Sequence, residues 1–142
     1  MGKQAKARGI NVIEGIAEDL PVADSSYNFA LMVTTICFLH DLKKAFHEAH
    51  RIIKPNGSII LGFIDKTSPL GKIYRKYSDK SVFYSHAVFY SAAEVLKKLL
   101  TCGFKDFSFY QTLFKPLDQI NKIEAVRQGY GEGSFVVITA KK

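Results

Sequence analysis

Segments of continuous apolar character alternate along the chain with segments whose apolar residues recur every three or four positions, which reads as strand, helix, strand. Phe29 to Ile36 (FALMVTTI) is apolar or β-branched throughout. That predicts a strand covered on both faces, the innermost one present of a largely parallel sheet. Next, Leu42, Ala45, Phe46, Ala49, Ile52 and Ile53 share one face of a helix that Asp41 can cap and Pro55-Asn56-Gly57 ends. Ser58 to Ile64 (SIILGFI) predicts a second buried strand, completing a right-handed βαβ crossover. Ser91 and Glu94 have capping-box spacing ahead of Val95, Leu96, Leu99 and Leu100, and Gly103 stands where that helix should stop.

Other segments carry weaker patterns. Lys3 to Arg8 followed by Gly9 predicts a short helix with a left-handed close. Ile10, Val12 and Ile13 predict a brief strand over 10–14, and Leu20 to Tyr27 a turn-rich loop. Phe104 to Phe114 reads as an aromatic strand, Pro116 to Gln128 as a polar connection with helical character, and Ser134 to Ala140 as a final strand pairing antiparallel with the aromatic one. Between 65 and 90 periodicity is lost, and lysines and Arg75 mix with Tyr74, Tyr77, Phe83, Tyr84, Phe89 and Tyr90. This is an excursion from the sheet, read as a lid or acceptor-recognition segment. Its aromatics are suited to covering a pocket and its cations to holding an acidic group.

Composition narrows the picture. With 142 residues and 47% hydrophobic content, the chain is expected to form one α/β domain over 1–142. No apolar run approaches the roughly 18 residues that span a bilayer, and the N-terminus has no signal-peptide core, so a cytoplasmic location without membrane contact is expected. Cys37 and Cys102 lie far apart in apolar surroundings and read as buried thiols. His47 and His50 lack a third ligand nearby and read as a helix-surface pair, so no metal is expected. A net charge of +7 attracts anions, but no nucleic-acid-binding motif accompanies it.

Three segments at their spacing carry a family resemblance: Gly15-Ile16-Ala17-Glu18-Asp19-Leu20-Pro21, Tyr27 to Leu39 leading into Asp41, and Glu48-Ala49-His50-Arg51-Ile52-Ile53-Lys54-Pro55-Asn56-Gly57. Together they resemble class I S-adenosylmethionine-dependent methyltransferases, best known from ubiquinone and menaquinone synthesis. The third segment is the most specific and reads as mainly structural. The resemblance implies a Rossmann-like sheet, S-adenosylmethionine as cofactor and a small-molecule acceptor whose identity and methylated atom stay open.

It also implies roles for particular residues. Ala17 and Glu18 take the places that read the adenine edge, a carboxylate accepting from its amine while a backbone N–H donates to its ring. Thr34, Thr35 and Ile36 face the methionine portion, because ligands of open α/β sheets sit beyond the carboxyl ends of strands. Phe38 and His40 fall between cofactor and substrate, and Tyr74, Tyr77 and Tyr84 of the excursion join them as acceptor-binding candidates. No catalytic residue is singled out. The family's glycine-rich cofactor cradle and the acidic residue after its second strand have no counterpart here and should precede Met1. Their strands would sit beside Phe29 to Ile36, so that strand should have a bare apolar edge. A partner chain, a homodimer or movement of the 10–14 strand could cover it, with the dimer favoured. A non-catalytic interaction module, or a fragment of a longer enzyme, is the alternative.

Overall fold

The computed structural model describes residues 2–142. In chain order the elements are α1 (Gly2–Ala7), β1 (Tyr27–Val33), α2 (Leu42–Ile52), β2 (Ile53–Ile64), α3 (Pro69–Lys76), α4 (Ala92–Thr101), β3 (Lys105–Thr112), β4 (Arg127–Gln128) and β5 (Phe135–Lys141), with single 3-10 turns at Ile36–Phe38, Ser78–Lys80 and Leu117–Gln119. They build one mixed sheet in the order β1-β2-β5-β3-β4. β1 and β2 are parallel, with Leu31 opposite Ile60, while β5 runs antiparallel to both β2 and β3. The βαβ unit and the antiparallel pair therefore stand where the apolar pattern put them.

The helices start where side chains satisfy the first free amides. The Asp41 carboxylate accepts from the Lys44 N–H. Ser91 and Glu94 form a complete capping box at α4. α4 closes at Gly103, whose φ of +91° is a conformation glycine adopts without steric cost. Both helices pack on one face of the sheet, where Phe46, Ile59, Leu61, Val95, Leu99, Val136 and Ile138 are fully buried.

Several expectations are corrected. Residues 10–14 form no strand: an isolated bridge between Ile16 and Asp19 is all the pairing nearby, and Ile10 and Ile13 stay exposed. The first long strand ends at Val33, because Thr34 turns into the left-handed region at φ +53°. It is not covered on both faces. It does lie at the sheet edge, as expected, and its outward residues Phe29 and Leu31 are 65% and 67% exposed. β2 begins at Ile53, since the backbone pairs from the turn onward. The 116–128 connection holds one 3-10 turn and the two-residue β4 in place of a helix. Cys37 is half-buried and Cys102 buried, both as free thiols.

Candidate functional site

The parallel strands β1 and β2 end on the same side of the sheet, and the chain leaving each one builds a wall of a cavity. Thr34, Ile36 and Cys37 follow β1, and Phe63 and Ile64 close β2. The facing wall is aromatic: Tyr74 of α3, then Tyr84, Phe89 and Tyr90. Tyr84 is its centre. Its ring lies 5.4 Å from Tyr74, 5.8 Å from Phe89 and 5.9 Å from Phe38, and the Tyr74 and Phe38 planes run close to parallel with it. The enclosed volume is about 40 Å³, room for a water or a methyl group.

No residue lining the cavity is acidic or basic. Burial pushes the Tyr84 and Tyr90 phenols and the Cys37 thiol above their usual ranges, so all three stay neutral at physiological pH. The cavity can bind flat or apolar groups through its rings, and it offers no carboxylate or imidazole as a base.

Asp65 secures the excursion that carries the aromatic wall. Only 3% exposed, its Oδ1 accepts from the Thr67 N–H and hydroxyl at 2.7 and 2.6 Å, and its Oδ2 accepts from the Ala92 N–H at 2.8 Å. One carboxylate thus ties the start of the excursion to its end. Lys66, ion-paired with Glu94, adds a second tie, and the Lys66 N–H donates to the Tyr90 carbonyl at 3.1 Å. Gly71 fits because any Cβ would collide with the Asp65 carbonyl oxygen. The far end docks through the Val88 N–H, which donates to the Cys37 carbonyl at 2.8 Å.

Thr34 holds an uncommon backbone for a β-branched residue. Its N–H donates to the Gly62 carbonyl at 2.7 Å, and the Thr34 and Thr35 hydroxyls both donate to the Val33 carbonyl, at 2.8 and 3.0 Å. Each hydroxyl oxygen keeps lone pairs to offer a ligand. Glu18 is buried. Its Oε1 accepts from the His40 and Asp41 N–H groups at 2.9 and 3.1 Å, and the Asp41 bond does most to hold its carboxyl below the usual range. It ties the 15–21 loop, with Ala17 half-buried beside it, to the start of α2.

Of the predicted site residues, Thr34, Ile36, Tyr74 and Tyr84 meet at the cavity, and Phe38 stacks on its rim. Thr35 is exposed one residue away, and the His40 side chain is exposed while its backbone serves Glu18. Tyr77 is not brought in: its ring sits under the ammonium groups of Lys76 and Lys80, 5.6 and 6.0 Å from its centre. Phe89 and Tyr90 had been read only as excursion aromatics suited to covering a pocket; Cys37 and Phe63 were not foreseen as lining, nor Asp65 as the anchor. A polar residue directly after a buried strand was the available signal for Asp65.

The Glu48 to Gly57 segment is built as structure. Arg51 forms a two-pronged pair with Glu48, Nε to Oε1 at 2.9 Å and Nη2 to Oε2 at 2.8 Å, and also donates to the Val22 and Leu20 carbonyls and the Asp24 carboxylate. Glu48 accepts from the Leu20 N–H in addition. The 20–24 loop is thus pinned to α2. With the Arg51 bonds foremost, the Glu48 carboxyl falls to about 2.

Comparison with known proteins agrees with this layout. Residues 1–61 match a family model described as a methyltransferase domain. An uncharacterised protein of Methanocaldococcus jannaschii is 46% identical over the whole chain, which spans 69% of that protein. An uncharacterised protein of Mycobacterium tuberculosis is 30% identical over 139 residues, and the chain spans 49% of its length. Among solved structures, a Thermotoga maritima protein described as a SAM-dependent methyltransferase, possible histamine N-methyltransferase, superposes over the whole chain and 69% of its own, with a TM-score of 0.97 and 48% identity.

Proposed function

This chain belongs to the class I S-adenosylmethionine-dependent methyltransferases, and from that premise we propose that it carries the acceptor side, and part of the cofactor side, of a small-molecule methyl-transfer site. The observation that carries this reading is the neutral, aromatic-walled cavity at the carboxyl ends of the two parallel strands.

The residues present fit part of the cofactor. Thr34, Thr35 and Ile36 would hold its methionine end, where the two hydroxyl oxygens have lone pairs free to accept from an ammonium group. Ala17 and Glu18 would meet the adenine, Ala17 through its backbone N–H and Glu18 through Oε2, since both amides that Glu18 engages fall on Oε1. The glycine-rich cradle that the family resemblance implies has no counterpart in this sequence, and in this reading another segment or chain completes the site. When bound, the cofactor supplies a methyl group already activated by its sulfonium. The protein's task is then to align the acceptor and exclude water. Tyr74, Tyr84, Phe89 and Tyr90 do both, by stacking on a planar acceptor and sealing the strand ends. The cavity holds no base, so an acceptor atom with a free lone pair suits it best.

A second chain, most simply another copy, covers the β1 edge in the same reading. Tyr27 to Val33 contains no charged residue to discourage strand pairing. Location in the cytoplasm is also part of the proposal; no described helix is long and apolar enough to cross a membrane.

Titration calorimetry with S-adenosylhomocysteine, alongside light scattering, tests the reading. Binding that Glu18→Ala weakens at least tenfold is the expected result. A folded protein with no affinity at any oligomeric state would make this chain an interaction module of the same fold.

A further inference from the structure

The cavity at the strand ends encloses about 40 Å³, yet its Tyr74 wall is shared with a second space roughly ten times larger, of about 410 Å³. That groove runs between α3 and the chain after β3. Its floor and sides come from Leu70 and Ile73 on one side and Phe114, Pro116 and Leu117 on the other, and its charged members Lys115 and Asp118 are exposed. The Asp65 N–H donates to the carbonyl of Ser134, itself a groove residue, at 3.0 Å. This bond fixes the groove's position relative to the excursion.

We propose that this groove is an acceptor subsite for an unbranched aliphatic arm, the reacting head lying across Tyr74 in the aromatic cavity. The proposal rests on the reading of that cavity as the acceptor site. Volume is the first argument: 40 Å³ accommodates the atoms around a transferred methyl group and little else, so the body of any acceptor must extend elsewhere. Continuity is the second, because Tyr74 lines both spaces and its ring stacks at 5.4 Å on Tyr84 at the centre of the aromatic wall. Chemistry is the third. Six apolar side chains, Pro69 with the five above, and exposed charges favour a hydrocarbon chain over a sugar, a nucleotide or a peptide, which carry many polar groups that would lose water there.

The test is titration calorimetry of this chain with 4-alkylphenols from methyl to octyl. Affinity should rise about two- to fourfold per added methylene, as burial of each CH₂ implies, and level off once the groove is filled. Leu117→Lys should abolish that rise; Leu117 is 50% exposed, so folding tolerates the change, and circular dichroism confirms it. Tyr84→Ala should weaken every member by a common factor and keep the rise. Leu31→Lys, on the open sheet face, should keep it too.

Affinity independent of chain length but sensitive to Tyr84→Ala would overturn the groove and leave the acceptor cavity standing. A rise abolished by Leu117→Lys and indifferent to Tyr84→Ala would instead overturn the cavity reading and the joint occupancy with it. A rise abolished by Leu31→Lys would place the chains on the bare sheet face, and absence of binding by any member would sink both.

Discussion

The two parallel strands have nearly the same apolar content and opposite fates. On β2, Ile59, Leu61 and Phe63 are at most 4% exposed under α2 and α4, whereas on β1 Phe29, Leu31 and Val33 are 65%, 67% and 47% exposed. Register explains it. Phe29, Leu31 and Val33 pair with Ser58, Ile60 and Gly62 and so lie on the face opposite the helices. The same open face continues through Thr139 and Ser108 in the antiparallel half. There Ser108, Thr112, Thr139 and Lys141 share the face with Tyr110, Phe135 and Val137, a mixed surface that suits an antiparallel sheet with one wet side. Phe29, Leu31 and Val33 of β1 bring no polar residue to that face: the strand is written for a covered sheet and is covered on one side. Apolar sequence reports what a segment is built to meet, and neighbours decide whether it meets it.

The contrast is sharpest in large-to-small substitutions. Leu61→Ala should cost about 2–5 kcal/mol, because both transfer energy and a cavity are lost, while Leu31→Ala should change stability by less than about 0.5 kcal/mol in the isolated chain. Urea denaturation of both measures the gap; equal losses would mean that β1 is covered in solution. Next in size is acid sensitivity. Glu48 and Glu94 both fall from 4.5 to about 2 in the folded chain, chiefly through bonds to Arg51 and Lys66. A carboxylate with a lowered folded pKa stabilises fully above 4.5 and loses that contribution as pH falls through about 2. Stability should therefore decline over that window, and Glu48→Gln should flatten the decline seen in urea midpoints. An unaltered slope would show that the 20–24 loop is not held by this pair.

A smaller effect, on mass and not on stability, concerns the bare edge. Leu31→Lys places a charge in the centre of β1 and should shift light-scattering mass toward the monomer. If wild-type and variant are both monomeric at high concentration, self-pairing is not how the edge is covered.

What could be read in the sequence follows the range of the interactions. α2 and α4 were legible because their periodic faces and their caps lie within a few residues of each other, Asp41 with Lys44 and Ser91 with Glu94. The 10–14 strand was misread because its apolar residues need a neighbouring strand, and none among the described residues pairs with them. Thr34 and Thr35 were found as site residues while the left-handed turn at Thr34 was not. β-branched residues signal extended backbone, and the turn depends on an acceptor at Gly62, 28 positions away. Tyr84 and Tyr77 look alike in sequence; only packing separates the ring in the cavity from the one beside Lys76 and Lys80. Asp65 bonds to residues two and 27 positions on, and the second of these carries no local trace.

The smallest expected effect tests the well-covered side. His50, on α2, packs edge-on against Phe104 at 5.1 Å, and burial, aided by Lys142 and His47, lowers its pKa from 6.5. The neutral ring is the form that fits. Because the unfolded chain takes up the proton first, this residue's contribution is fully present above pH 6.5, and it shrinks as pH falls through 6.5 toward the folded pKa. Nuclear magnetic resonance of the His50 ring protons should show a midpoint below 6.5 in the folded chain that returns to 6.5 in urea. Phe104→Ala should move the folded midpoint part of the way back by admitting water. A midpoint at 6.5 in the folded wild-type would mean that the α2 to Phe104 contact opens in solution, and that the covered side of the sheet is looser than the contrast with β1 requires.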